Sequence, residues 1–198
     1  MHDSNVALKV TWVYGKTGPF TTPCTPEGRR INIVEEKKVW CSDKECLCRK
    51  ILRLERNIGT VPVKDSPCYD ADIFRRWRFA AGIFATGPRR DQPMRILHAR
   101  EGALAFFTSK RQDMDEKERI VIGCYEIAKL PERADPDYGF LIPSVPSARH
   151  RVWALDKAPR FWDFYTQSGP PRWGCGLFRY LSDQQARALH GAVKAAAR

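Results

Sequence analysis

Long apolar runs are missing from this 198-residue chain. No stretch approaches the roughly 18 apolar residues that a membrane-spanning helix needs, so no membrane partner is expected. The opening MHDSNVALKV has neither the basic n-region nor the apolar h-region of a signal peptide. A cytoplasmic location follows, and with it reduced cysteines rather than disulfides. Histidine is scarce, and His2, His98, His150 and His190 are scattered without evident partners. The sequence has no G-x-S-x-G, no P-loop, no H-E-x-x-H and no H-x-E…P-C-x-x-C signature. That removes the common hydrolase, nucleotidase, zinc-protease and deaminase readings. Internal repeats and low-complexity tracts are absent too, so solenoids and disordered chains are excluded.

What the chain has in excess is positive charge. Lys and Arg number 34 against 23 Asp and Glu, a net charge of +11. The surplus is uneven. Residues 49–100 carry +7 and 149–198 carry +6, while 101–148 carry −3. Arginine dominates both basic segments, and its planar fork suits phosphates and base edges better than lysine does. Clustered arginine at this charge is the electrostatic footprint of a nucleic-acid binder. We take Arg75, Arg76, Arg78, Arg89, Arg90, Arg149, Arg151 and Arg172 as phosphate candidates. If the strands curl, the two basic segments meet as one groove.

Seven cysteines is a high count, and four of them, Cys24, Cys41, Cys46 and Cys48, fall in the first quarter. Four thiolates suit a closed, tetrahedral structural zinc site, with Cys68 as an alternative fourth ligand. Six tryptophans are the other surplus. Aromatic rings beside arginine can stack a splayed base. Trp77 and Trp162 read as core. Trp12, Trp153 and Trp173 read as the base-stacking candidates, because each lies by an Arg or a Gly/Pro loop.

Hydrophobic patterning gives an α+β chain of six or seven strands and two good helices. Strands are expected at 6–14, 30–40, 94–100, 103–110, 119–130, 150–154 and 177–181. Residues 40–50 read as a Cys-rich knuckle, and 51–59 fit either strand or short helix. DADIFRRWRFAAGIFATG (70–87) predicts a helix with Ile73, Trp77, Ala80, Ala81 and Phe84 on one stripe. SDQQARALHGAVKAAAR (182–198) predicts another, opened by a Ser182–Gln185 capping box. Gly123 marks a bulge or a close backbone contact in its strand. Domain limits are placed at 1–68 and 69–198, with one continuous domain as the alternative.

The helix at 70–84, the Gly-turn into REGALAFFTSK, the acidic loop and RIVIGCYEIAKL together resemble the PUA-like superfamily that includes EVE, YTH and ASCH domains. The tail GLFRYLSDQQARALHGAV is similar to the closing strand and helix of EVE-like modules attached to HNH restriction nucleases. Ala103 departs from the pattern, standing where an Asp is usual. The resemblance implies a curled mixed sheet or small barrel with packed helices. It implies a reader that flips one base, often a modified one, into an aromatic pocket, DNA ahead of RNA. A restriction or modification-sensing system with a separate nuclease subunit is the implied setting.

Two other classes stand beside the reader. A metal-dependent nuclease or nucleotide hydrolase would use Asp113, Asp115, Glu116 and Glu118 with Lys110 or Lys117. A basic interaction module would bind an acidic protein partner.

Overall fold

The computed structural model describes residues 4–12, 25–35, 37, 41, 46–58, 70, 73–84, 87–111, 113–136, 138–174 and 176–198. The chain divides into two compact units, Trp12–Arg76 and Met1–Thr11 joined with Trp77–Arg198. The first strand therefore belongs with the C-terminal two-thirds of the chain.

The larger unit is an α+β structure around one curled, mixed, six-stranded sheet. Its strands are β1 (Asn5–Lys9), β2 (Arg78–Ala80), β3 (Leu104–Ser109), β4 (Ile120–Ile127), β5 (Leu141–Arg151) and β6 (Phe178–Leu181). The order is β2-β5-β4-β3-β1-β6, an open sheet rather than a closed barrel. Only β1 and β3 run parallel; the other neighbours are antiparallel. β1 is buried along its length because it sits between β3 and β6. Asn5 pins its start: the side-chain oxygen accepts from Leu104 N–H at 3.0 Å, and Nδ2 donates to Asp183 at 2.8 Å.

Curling comes from two register breaks. Phe107 opposes Gly123 but Thr108 opposes Val121, so Ile122 is the extra residue. The bulge thus falls beside the glycine that sequence marked. In the second break, Tyr125 opposes Arg149 while Ile127 opposes Ser144. Such bulges bend a strand and increase its twist. The 11-residue β5 consequently pairs with β2 through Leu141–Pro143 and with β4 through Arg149–Arg151.

The C-terminal helix, Asp183–Ala196, covers one face of this sheet. Ser182 caps it, accepting from Gln185 N–H while Gln185 Oε1 accepts from Ser182 N–H at 2.9 Å. Ala186, Leu189 and Val193 are buried against Ala7, Phe106, Val121, Cys124 and Phe161. The helix and its capping box are where sequence placed them.

The smaller unit is helical where it is described. Pro26–Arg30 is a short helix capped by Thr25, whose Oγ1 accepts from Gly28 N–H at 3.0 Å. A π-helical turn, Ile31–Glu35, continues it, so the strand expected at 30–40 is not formed there. A second helix spans Leu47–Ile58. Cys48 lies in its first turn, so residues 47–50 are helix rather than knuckle. Buried Arg29 forms an ion pair with Glu55, its Nε donating at 3.2 Å. Asn32 Nδ2 donates to the Trp12 carbonyl at 3.1 Å.

The helix expected at 70–87 is cut short. Among the described residues the α-helix runs over Ile73–Arg76. Trp77 turns into the left-handed region at φ 48, and Arg78–Ala80 become a strand on β5. Residues 94–100, expected as strand, are irregular, with a turn at Leu97–His98.

Candidate nucleic-acid interface

β5 gathers the arginine and tryptophan side chains of most interest. Alternation along a strand puts Arg149 and Arg151 on the same face as Tyr125 and Phe107, opposite the face covered by the C-terminal helix. On that face the Trp77 ring lies 6.2 Å from Phe107 and edge-on to Tyr125 at 6.5 Å. The Arg149 guanidinium lies 5.7 Å from the Trp77 ring centroid. The second register break makes this possible: it folds residues 145–148 out of the ladder, and Arg149 Nε donates to Ser144 Oγ at 2.8 Å. Ser144 Oγ in turn donates to the Trp77 carbonyl at 2.5 Å. The strained Trp77 backbone is therefore fixed by the strand whose arginine covers its ring.

One turn of strand further on, the Arg151 guanidinium sits 3.7 Å from the Trp153 ring centroid. Trp153 follows the end of β5 and is 67% exposed. A guanidinium at this distance is a close cation–π contact, and it orders an otherwise mobile side chain. Trp153 is an exposed aromatic plate with a cation fixed to it. That is the combination a base-stacking surface requires.

The two other nominated tryptophans differ from Trp153 in exposure. Trp12 is 5% exposed and Trp173 is 4% exposed. Trp173 packs on Phe161 at 5.1 Å, lies under Arg119 at 4.6 Å and donates from Nε1 to the Gly176 carbonyl at 2.8 Å. Both rings are buried, unlike Trp153. Trp162 packs on the same cluster, as its sequence context indicated.

The nominated arginines separate into groups. Arg149 and Arg151 lie together on β5. Arg89 and Arg90 are exposed at a hairpin tip. Arg78 is on β2 opposite Pro143, half-buried. Arg172 is exposed in the loop before Trp173, and its carbonyl accepts from Arg179. Arg75 and Arg76 belong to the Trp12–Arg76 unit. Sequence reasoning passed over Arg95, Arg119 and Arg179. Arg95 and Arg119 pack on aromatic rings that are distant in sequence, and Arg179 faces Trp162, Tyr165 and Trp173, contacts that appear only on folding.

The carboxylate loop is organised for structure. Asp113 pairs with Arg111, Asp115 with Lys117, and Glu116 with Arg119. Glu118 accepts from the Asp115 N–H at 2.9 Å as part of a capping box. The four carboxylates thus point to four different local partners. Among the described residues no group of three or more His, Cys, Asp or Glu could hold a metal ion. Of the proposed zinc ligands, Cys41 and Cys46 are half-buried and Cys48 is buried, while Cys24 and the alternative Cys68 lie outside the described residues.

Titratable groups cluster on the helix-covered face instead. Cys124 opposes His150 across β4 and β5, and the His150 ring is 5.4 Å from His190 on the C-terminal helix. Burial pushes the Cys124 thiol up to about 12, with Lys194 pulling the other way. Burial and then Lys194 hold His150 below its ordinary value. For His190 the causes are burial, then His150, then Lys194.

Comparison with protein-family models, with curated proteins and with solved structures gives no match for this chain.

Proposed function

We propose that this protein is a nucleic-acid reader that stacks one base on Trp153 and holds adjacent phosphates with Arg149 and Arg151. The observation that carries the reading is the exposed Trp153 ring with the Arg151 guanidinium packed on it. A net charge of +11 supports it, because phosphate neutralisation supplies most of the affinity in such complexes. The PUA-like resemblance adds discrimination of a modified base, most simply in DNA, and a separate nuclease as the partner that acts on the read strand. Extruding a base costs a few kcal/mol, and stacking returns about 1–3 kcal/mol, so weakly paired or modified bases are favoured.

The test is fluorescence anisotropy with labelled modified and plain oligonucleotides across a salt series. Binding that weakens linearly in log–log salt is expected. No binding, or no salt dependence, overturns the reading. In the same proposal Cys24, Cys41, Cys46 and Cys48 hold a structural zinc ion, a set that rests on their spacing in sequence. One equivalent of zinc in purified protein supports it; less than half an equivalent, with stability unchanged by chelator, removes it.

A further inference from the structure

A second basic element lies in the same unit as the Trp153 plate. Among the described residues, 82–84 pair with 91–94 as the two sides of a hairpin arm. Phe84 N–H donates to Gln92 O at 2.9 Å, Asp91 N–H to Phe84 O at 2.8 Å, and Met94 N–H to Gly82 O at 2.8 Å. Its base is tied to the loop before β5: Gly82 N–H donates to Tyr138 O at 2.9 Å, and Phe140 N–H to Met94 O at 3.2 Å. The arm is therefore anchored at both sides of its base.

Two arginines on this arm have their guanidinium carbons over rings. Arg89 lies 4.2 Å from the Phe84 centroid and Arg95 lies 4.4 Å from the Phe140 centroid. Both are exposed, as are Arg90 and Arg100. Residues 83–100 hold four arginines and one acidic residue, Asp91. Among the described residues neither Arg89 nor Arg95 forms an ion pair with a carboxylate. A guanidinium stacked on a ring uses its face and leaves its N–H edge outward, which is the geometry that a phosphate oxygen pair takes bidentately. Pre-ordering by the ring also reduces the side-chain entropy lost on binding.

We infer that this arm is a second phosphate-binding element, in which Arg89 and Arg95 grip the nucleic-acid backbone away from the stacked base. The inference rests on the reader function proposed above. Nucleic acid fits the arm better than a protein partner, because a protein interface wants an apolar centre. Among the described residues of 83–100, Leu97, at 75% exposure, is the one exposed large hydrophobic residue.

The experiment titrates the full chain and its Arg89→Ala/Arg95→Ala variant with a labelled single-stranded DNA, over a salt series. Trp fluorescence is recorded in parallel. Loss of two phosphate contacts lowers the log–log salt slope by about 1.4, at about 0.7 per contact on a single strand. Affinity at low salt should drop at least tenfold, with Trp quenching at saturation retained. An Arg89→Lys/Arg95→Lys variant should keep the slope and lose part of the affinity. If the unaltered chain binds and the Ala variant has the same slope and Kd, the arm inference fails while the reader stands. No binding by the unaltered chain defeats the reader reading first. Binding of polyglutamate lost in the Ala variant, with DNA binding unchanged, overturns the inference in favour of an acidic protein partner.

Discussion

Trp153 carries the proposal because it is exposed where most tryptophans are not. Replacing it removes little buried surface, so Trp153→Ala should change stability by no more than about 0.5 kcal/mol. The same substitution should weaken oligonucleotide binding by about 1–3 kcal/mol, read by anisotropy. Gly139 behaves in the opposite way. It has φ +68, and a Cβ there would sit 2.0 Å from the Gly82 carbonyl oxygen. Gly139→Ala should therefore loosen the base of the basic arm and lower the thermal midpoint; an unchanged midpoint would contradict the packing described. At this scale sequence was a partial guide. It nominated Trp12, Trp153 and Trp173 on their neighbours, but exposure depends on which face of the folded sheet each ring meets. Burial, the common fate of tryptophan, claimed two of them.

Among the elements, the C-terminal helix was fully legible because its signals are local. Ser182 and Gln185 sit three apart, and Ala186, Leu189 and Val193 share one stripe. Ser182→Ala should cost about 1 kcal/mol and Leu189→Ala about 2–5 kcal/mol, both measurable by denaturant melts. The helix expected at 70–87 failed for a non-local reason. Its apolar stripe fits a helical period, yet Phe79 and Ala80 pair with Ile142 and Leu141 about 60 residues away. The short helix at 25–30 also has local signals: Thr25, Pro26 and Glu27 form a cap, an N1 proline and an acidic first turn. β5 was obscured by Pro143 and Pro146, residues that usually argue against a strand. Pro143 opposes Arg78 of the short strand β2, and Pro146 falls within 145–148, which lie outside the ladder; that detour is what brings Arg149 to Ser144.

The contact between that strand and the helix has a pH consequence. His150 and His190 are held below their ordinary value in the folded protein, beside Lys194 and the neutral Cys124 thiol. The unfolded chain then takes up protons first as pH falls. Stability should be complete above about pH 6.5 and decline as pH drops beneath it. Thermal midpoints between pH 7.5 and pH 5 test this, and His190→Gln should flatten the fall. The Cys124 thiol, pushed up to about 12, should resist alkylation in the native protein.

Across the whole molecule, hydrophobic patterning and the family resemblance foretold an α+β chain with a curled mixed sheet. Domain limits were less accessible. β1 pairs with β3 across about 100 residues, and no local pattern announces that partnership. The larger unit holds 21 basic and 14 acidic residues, the smaller 13 and 9. Arginine makes up 15 of the larger unit's 21 basic residues and 7 of the smaller unit's 13.

The most direct measurement of the central claim compares the chain with its Trp153→Ala and Trp153→Phe variants. Each is titrated with one labelled oligonucleotide at one low salt concentration, after thermal melts show that all three are folded. Stacking on Trp153 predicts a loss of tenfold or more in affinity for Ala, with Phe recovering much of it. Equal affinity for all three proteins would contradict the account.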